Sequence, residues 1–101
     1  MAVVRLVVNF AVKPGRYADL FEGLKGLKKV TERLGASFTA NRVRIGAEPT
    51  HIIAVGQWAD LAAWAKAATD SELLGLLETQ RSNPNPPYES FTTTLVEEVP
   101  L

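Results

Sequence analysis

Residues 3–12 place apolar side chains on one parity and a mixed set, including Arg5 and Asn9, on the other. This alternation predicts a β-strand with two unequal faces. From Tyr17 the apolar spacing changes to three and four residues, which predicts an amphipathic helix over 17–34, ended by Gly35 as a left-handed C-cap. The same patterns predict further strands over 36–45, 51–58 and 89–99 and helices over 61–68 and 71–81.

Local signals mark the ends of these elements. Asp60 is expected to cap the helix over 61–68, and Thr69-Asp70-Ser71-Glu72 matches a capping box before the helix over 71–81. Three prolines within 82–87 exclude helix and central strand, so an extended loop is predicted there. Gly46-Ala47-Glu48-Pro49 predicts a turn, and mixed parity in the strand over 36–45 predicts an irregularity near Asn41 and Arg42.

The element order is strand, helix, strand, strand, helical pair, strand, which is typical of a ferredoxin-like α+β fold, βαββαβ, with a four-stranded antiparallel sheet. Right-handed crossovers place both helical segments on one face of that sheet. The side chains expected to meet the helices are Val4, Leu6, Val8, Phe10, Ile53, Val55, Phe91 and Leu95. The opposite face is expected to carry Val3, Arg5, Val7, Asn9, Ala54, Gly56, Trp58, Thr92, Thr94 and Val96.

That opposite face is too apolar to be left in water and too polar for a dry core. Contiguous apolar surface of this kind usually marks an interface or a ligand cleft. We therefore expect a second copy of the chain to pack sheet to sheet on it and to enclose a small polar-lined cavity. A chain of this length gains stability from such extra burial.

Composition narrows the possible partners. Hydrophobic residues make up 47% and charged residues 22% of the chain, so 1–101 is interpreted as one domain. Eleven Lys and Arg balance eleven Asp and Glu, and this neutrality predicts neither a nucleic-acid partner nor an anionic membrane. Cysteine is absent, which excludes disulfides and Cys nucleophiles. Because Arg5 and Asn9 interrupt the apolar start, it is not interpreted as a signal peptide, and a cytoplasmic location is expected.

Three motifs resemble a known group of proteins: Val12-Lys13-Pro14-Gly15-Arg16-Tyr17, Val55-Gly56-Gln57-Trp58-Ala59-Asp60-Leu61-Ala62-Ala63-Trp64, and Asn83-Pro84 before the last strand. With them the chain resembles the dimeric α+β barrel superfamily, and within it the NIPSNAP and antibiotic-biosynthesis-monooxygenase-like groups. The resemblance implies a homodimer whose two sheets form a barrel. In the monooxygenase relatives a cavity-facing Asn and a Trp hold a polycyclic phenol without metal or flavin, so no cofactor is expected here.

The resemblance carries over to this chain only in part. Trp58 is similar to the tryptophan of those enzymes, but Ala54 stands where they can present an Asn. Asn9 is the alternative carboxamide, placed beside Arg5 by its parity. Relatives that degrade haem use a histidine on the second helical segment, and 71–81 contains none, so haem chemistry is disfavoured.

The candidate ligand or cavity residues each have a structural alternative. Arg5 needs a partner, either Glu97 or Glu98 or a ligand anion, because an unpaired buried guanidinium is costly. His51, the single histidine, is a conceivable general base or a solvated or capping residue. Asn9 and Trp58 are alternatively a backbone hydrogen-bonding residue and a packing residue. The full candidate set is Arg5, Asn9, His51, Trp58, Thr92 and Thr94, with no catalytic residue and no metal ligand assigned.

Three hypotheses follow from these observations. The first is a homodimeric barrel that binds a small, partly apolar molecule between sheet and helices, with unknown activity. The second is a cofactor-independent monooxygenase-like enzyme in which Trp58, Asn9 and Arg5 orient an activated aromatic substrate. The third is a structural or assembly module without a ligand.

Overall fold

The computed structural model describes residues 2–44 and 51–101. Its elements are β1 (Val4–Val12), α1 (Tyr17–Arg33), β2 (Ser37–Arg42), β3 (His51–Trp58), α2 (Leu61–Ala67), α3 (Ser71–Arg81) and β4 (Tyr88–Glu97). The strands form one antiparallel sheet in the order β2-β3-β1-β4, with the helices on one face. The molecule is 17 Å across its shortest axis, the thickness of one sheet and one helical layer. The predicted α+β architecture is confirmed.

The helix ends follow from local chemistry. Gly35 follows the C-cap Leu34 of α1 and adopts a φ of +86°, as expected of a left-handed cap. Asp60 caps α2 by accepting a hydrogen bond from the Ala63 N–H at 2.8 Å. For α3 the cap is Asp70, which accepts from the Leu73 N–H at 3.0 Å, whereas the Thr69 hydroxyl donates to the carbonyl of Lys66. None of the helices described combines the length and hydropathy that crossing a bilayer demands.

The face assignment was right for β1 and β4 and wrong for β3. Val4 lies opposite Trp58 and Val8 lies opposite Ala54, so these β3 residues share the helix-facing side of β1. Burial agrees, because Ile52, Ala54, Gly56 and Trp58 are buried while the residues between them are half-buried. Both parities of β3 are apolar, and therefore alternation alone could not select the inner one.

The structure thus defines the open face, the sheet surface opposite the helices. Of the residues described, no segment of the chain covers it. It consists of Ser37, Thr39 and Asn41 on β2, His51, Ile53, Val55 and Gln57 on β3, Arg5, Val7, Asn9 and Ala11 on β1, and Ser90, Thr92, Thr94 and Val96 on β4.

β2 also departs from expectation. Its pairing with β3 keeps one register from Ser37 to Arg42, and the Val43 N–H then reaches the His51 carbonyl at 3.4 Å in the same register. The irregularity expected near Asn41 and Arg42 is therefore absent. The structure instead places a register shift between Ala11 and Val12, where β1 meets β4. Ile45 and the turn predicted over 46–49 lie outside the described residues.

The core under the helices has two parts. The larger cluster joins buried residues of β1, α1 and β3, namely Phe10, Val12, Leu20, Leu24, Ile52 and Ala54. The smaller cluster consists of Ala36, Trp58 and Ala67, with Leu6 and Trp64 packed against it. β4 contributes no buried residue to either cluster, although the half-buried Tyr88 at its start packs against the larger one. Its other residues are exposed, because β4 pairs with β1 at the edge of the sheet.

Candidate functional site

The open face brings two of the candidate residues into direct contact. The His51 Nδ1 lies 2.8 Å from the Asn9 Oδ1, across the β1–β3 pair. Because a carboxamide oxygen only accepts hydrogen bonds, the imidazole must carry its proton on Nδ1. The Asn9 amide oxygen is therefore engaged by a side chain. This contact was not foreseen, since it depends on the register of two strands that are distant in the sequence.

Arg5 is paired as the sequence suggested. Its guanidinium donates from Nη2 to the Glu98 carboxylate at 3.0 Å, which confirms one of the two predicted partners. Its Nε also donates to the Gln57 Oε1 at 2.9 Å. Sequence reasoning missed Gln57, which lies directly opposite Arg5 on β3. The charge of Arg5 is thus balanced within the chain.

Thr92 and Thr94 lie on the open face as predicted. Thr92 is the register partner of Asn9, and Thr94 is the register partner of Val7. Both are exposed, and the described part of the chain gives their hydroxyls no side-chain hydrogen bond. Thr92 therefore extends the polar row that starts at the Asn9–His51 pair, whereas Thr94 lies beside the apolar Val7.

Trp58 lies on the opposite side of the sheet from the other candidates, and its predicted place on the open face was wrong. The side chain is 6% exposed and packs among Ala36, Ala67 and Leu6. A tryptophan buries far more apolar area than Ile53, Val55 or Gln57 on the other face of β3. The face that carries Trp58 is therefore the one that packs against the helices. Trp58 consequently cannot meet Asn9 and Arg5 around one ligand on the open face.

A second surface, which we term the helix-side cleft, lies between the sheet and α1 and α3. It has a volume of ≈ 220 Å³ and is lined by Leu6, Val8, Phe10, Leu27, Leu77, Gln80, Arg81, Tyr88, Phe91 and Thr93. The Tyr88 ring lies 5.3 Å from the Phe10 ring and 5.3 Å, edge to face, from that of Phe91. These three aromatic rings make an apolar wall suited to a flat or aliphatic ligand.

The cleft is open to solvent on the β4 side. Phe91 is 51% exposed and Leu77, which faces it from α3, is 36% exposed. Arg81, the charged residue of the lining, donates to the Glu78 carboxylate at 3.2 Å, and its side chain is 75% exposed, so solvent screens its charge. The remaining polar groups are the Gln80 amide and the hydroxyls of Thr93 and Tyr88. The cleft therefore suits a partly apolar, uncharged molecule better than an anion.

The groups with shifted pKa values, Arg33 and Asp70, lie away from both the open face and the helix-side cleft. The Leu73 N–H lowers the pKa of the Asp70 carboxyl, and the Arg33 guanidinium, 3.1 Å away, adds to the effect. The hydrogen bond to Glu72 raises the pKa of Arg33 above its ordinary value. These groups join the end of α1 to the start of α3. Among the residues described, no group of three or more His, Asp or Glu side chains is placed to hold a metal ion.

Comparison with known proteins gives this architecture its context. No protein-family model and no curated protein matches the chain. A dabb family protein with a ferredoxin-like fold from Mesorhizobium loti is 20% identical over 100% of this chain and 99% of its own, with a TM-score of 0.73. A variant of SnoaB, a cofactor-independent oxygenase from Streptomyces nogalater, is 18% identical over 93% of this chain and 90% of its own, with a TM-score of 0.71.

An antibiotic biosynthesis monooxygenase of known structure is also similar, with 15% identity over 96% of this chain and 99% of its own and a TM-score of 0.66. Identities this low establish the fold. The chain has a ferredoxin-like α+β fold, as the order of its elements predicted. The activities in the names of these neighbours belong to those proteins.

Proposed function

We propose that this protein is a homodimer, joined through the open face, that binds a small, partly apolar molecule in the helix-side cleft. The observation that carries the binding proposal is the aromatic wall of Phe10, Tyr88 and Phe91 around a cleft of ≈ 220 Å³. Ligand pockets usually measure roughly 300–1,000 Å³. At ≈ 220 Å³ the cleft is smaller than that range, so it suits a small ligand of one or two rings.

The open face supports the dimer for two reasons. Its middle is apolar, because Val7 lies opposite Val55 and the neighbouring Val96 is 40% exposed. Its charged Arg5 and its imidazole already have partners within the chain. Covering the face with a second copy would thus bury apolar area without leaving a charge unpaired.

The dimer is tested by sedimentation of two matched lysine variants. Val7→Lys puts a charge in the middle of the open face and should convert a species of twice the 11.0 kDa chain mass into a monomer at micromolar concentration. Leu61→Lys changes a residue that is 51% exposed on the helical side and should leave the dimer intact. A wild-type protein that sediments as a monomer would refute the dimer.

Binding is tested by titration with small aromatic probes such as 1-naphthol, read out by fluorescence and by thermal shift. Leu77→Trp should fill the cleft and weaken binding by about tenfold or more, the effect of losing one good apolar contact surface. Leu74→Trp, one turn earlier on the exposed side of α3, is the matched control and should bind as the wild type does. Equal weakening by both variants would place binding elsewhere.

A cofactor-independent oxygenase activity is the second candidate, favoured by the aromatic lining of the cleft. The residues first considered for it do not converge, because Trp58 faces the core and Asn9 faces the opposite side. Such an activity would therefore have to use the cleft. Oxygen uptake with phenolic compounds, absent in Leu77→Trp, would support it, and no uptake with the wild-type protein would leave binding as the function.

A further inference from the structure

Two cavities meet at the side chain of Gln80. One is the helix-side cleft, and the other is a neighbouring cavity of ≈ 100 Å³ lined by Phe10, Asp19, Leu20, Gly23, Leu24, Gln80, Asn83, Pro87 and Tyr88. Phe10, Gln80 and Tyr88 line both cavities. The Phe10 and Tyr88 rings are in tilted contact, 5.3 Å between centroids, and Phe10 is buried, so Gln80 is the more movable part of the partition.

Gln80 spans the gap between α3 and α1. Its Nε2 donates to the Gly23 carbonyl at 3.3 Å, which is long for such a bond and therefore weak. A Cβ added at Gly23 would lie 3.4 Å from that Nε2, whereas one added at Gly26 would meet Leu76 at an ordinary 3.8 Å. The Gln80 side chain thus lies directly against the backbone of α1 at Gly23.

The amide of Gln80 has a free acceptor. Its Nε2 is used, but within the described residues its Oε1 has no hydrogen-bond partner. The charged groups nearby are already paired, Asp19 with Arg16 and Arg81 with Glu78. Because Gln80 lines the cleft, this oxygen is an uncommitted acceptor on a lining residue.

We propose that Gln80 determines the specificity of the helix-side cleft, which rests on the proposed binding function. Its Oε1 accepts a hydrogen bond from a hydroxyl or N–H group of an otherwise apolar ligand. Its side chain also limits the length of that ligand, because it closes the passage into the neighbouring cavity. The ligand class is therefore an apolar molecule with one hydrogen-bond donor near the end that meets α3.

The test compares 1-naphthol with 1-methoxynaphthalene, a probe of similar shape that cannot donate. The wild-type protein should prefer 1-naphthol by about fivefold, the value of one neutral hydrogen bond. Gln80→Leu should lower this ratio to about one, and Gln80→Glu, which keeps an acceptor, should retain it. Thr93→Val, which removes a hydroxyl from the β4 side of the cleft, and Thr79→Val, which removes one outside the cleft, should both retain the ratio.

The length limit is tested separately with Gln80→Ala and the three-ring probe 1-anthrol. Opening the partition should raise its affinity about tenfold over wild type, whereas 1-naphthol should lose about fivefold with the hydrogen bond to Gln80. All variants should melt cooperatively, which shows that they fold.

The outcomes separate the two proposals. No measurable binding of either naphthalene probe to wild type, or equal weakening by Leu77→Trp and Leu74→Trp, would overturn the cleft and the role of Gln80 together. If Leu77→Trp abolishes binding, the cleft stands. The role of Gln80 would then be overturned by a preference for 1-naphthol that persists in Gln80→Leu, or by one that disappears in Thr93→Val. An unchanged affinity of Gln80→Ala for 1-anthrol would refute the length limit.

Discussion

Gly56→Ala tests the corrected packing of β3 most directly. Gly56 and Trp58 lie on the same, helix-facing side of the strand, and the indole folds back over the glycine. A Cβ added at Gly56 would lie 2.9 Å from Cη2 and 2.9 Å from Cζ3 of that ring. Carbon atoms pack at about 3.5–4.0 Å, so the ring has to move by at least half an ångström.

The movement is costly because Trp58 is held on its other sides. It packs in a buried cluster with Ala36 and Ala67, and a rigid indole has no alternative position in a close-packed core. Overpacking of this kind costs about 1–3 kcal/mol, and the better strand propensity of alanine returns about 0.5–1 kcal/mol. The net loss of unfolding free energy should be about 1–2 kcal/mol, which lowers the Tm by about 5–15 °C in a domain of this size.

Urea and thermal unfolding of four proteins, namely the wild type, Gly56→Ala, Trp58→Phe and the double variant, measure this effect as a cycle. Phenylalanine lacks the outer ring atoms that meet the new methyl group, so Gly56→Ala should cost less than about 0.5 kcal/mol in the Trp58→Phe background. A coupling of about 1 kcal/mol is expected. Full stability of Gly56→Ala, or additivity of the two changes, would refute the placement of Trp58 over Gly56.

Three further predictions follow from other parts of the fold. Gly26→Ala should raise the unfolding free energy by up to about 1 kcal/mol in urea titrations, because alanine favours the helix and its Cβ would meet only Leu76 of α3, at an ordinary 3.8 Å. A loss of stability would contradict this packing of α1 against α3. The pKa of Asp70 is lowered in the folded protein, so its carboxylate stabilises the fold above about pH 4 and loses this effect as the pH falls through the folded pKa. The Tm difference between the wild type and Asp70→Ala should therefore shrink below about pH 4. A difference that stays constant with pH would refute this linkage. Asn9→Leu should remove the partner of His51 and shift the imidazole signals in NMR spectra, whereas unchanged spectra would contradict the 2.8 Å contact.

The sequence predicted the fold correctly where the local pattern of residues was compatible with one arrangement alone. Arg5 and Asn9 mark one parity of β1 as polar, so its two faces could be assigned correctly. Gly35 and Asp60 ended and began helices because no other residue nearby satisfies the free backbone groups as well. The order of strands and helices then selected the ferredoxin-like arrangement.

The prediction failed for β3, because both of its faces are apolar enough to be the buried one. Ile53 and Val55 on one parity of β3 are as apolar as Ile52 and Ala54 on the other. The choice depends on where Trp58 finds helices to pack against, which is a property of the tertiary structure. The error carried over to the candidate site, since it placed Trp58 beside Asn9.

The contacts of the candidate residues required the strand register itself. Arg5 could be given a carboxylate partner from the neighbouring last strand, but Gln57 becomes its second partner only when β1 and β3 align at that position. The helix-side cleft was likewise expected only in general terms. Its lining combines side chains of α1, α3, β1 and β4, which only the tertiary packing brings together.

The proposed ligand site and the proposed dimer interface share one element, the edge strand β4. One of its faces contributes Phe91 and Thr93 to the helix-side cleft, and the other contributes Thr92 and Thr94 to the open face. β4 pairs with β1 alone and is exposed along nearly its whole length, so in an isolated subunit it has little to hold it against α3. A second subunit on the open face would support β4 from behind and thereby fix the wall of the cleft. Because such coupling is reciprocal, a ligand that orders β4 must also strengthen the association of the subunits by the same factor.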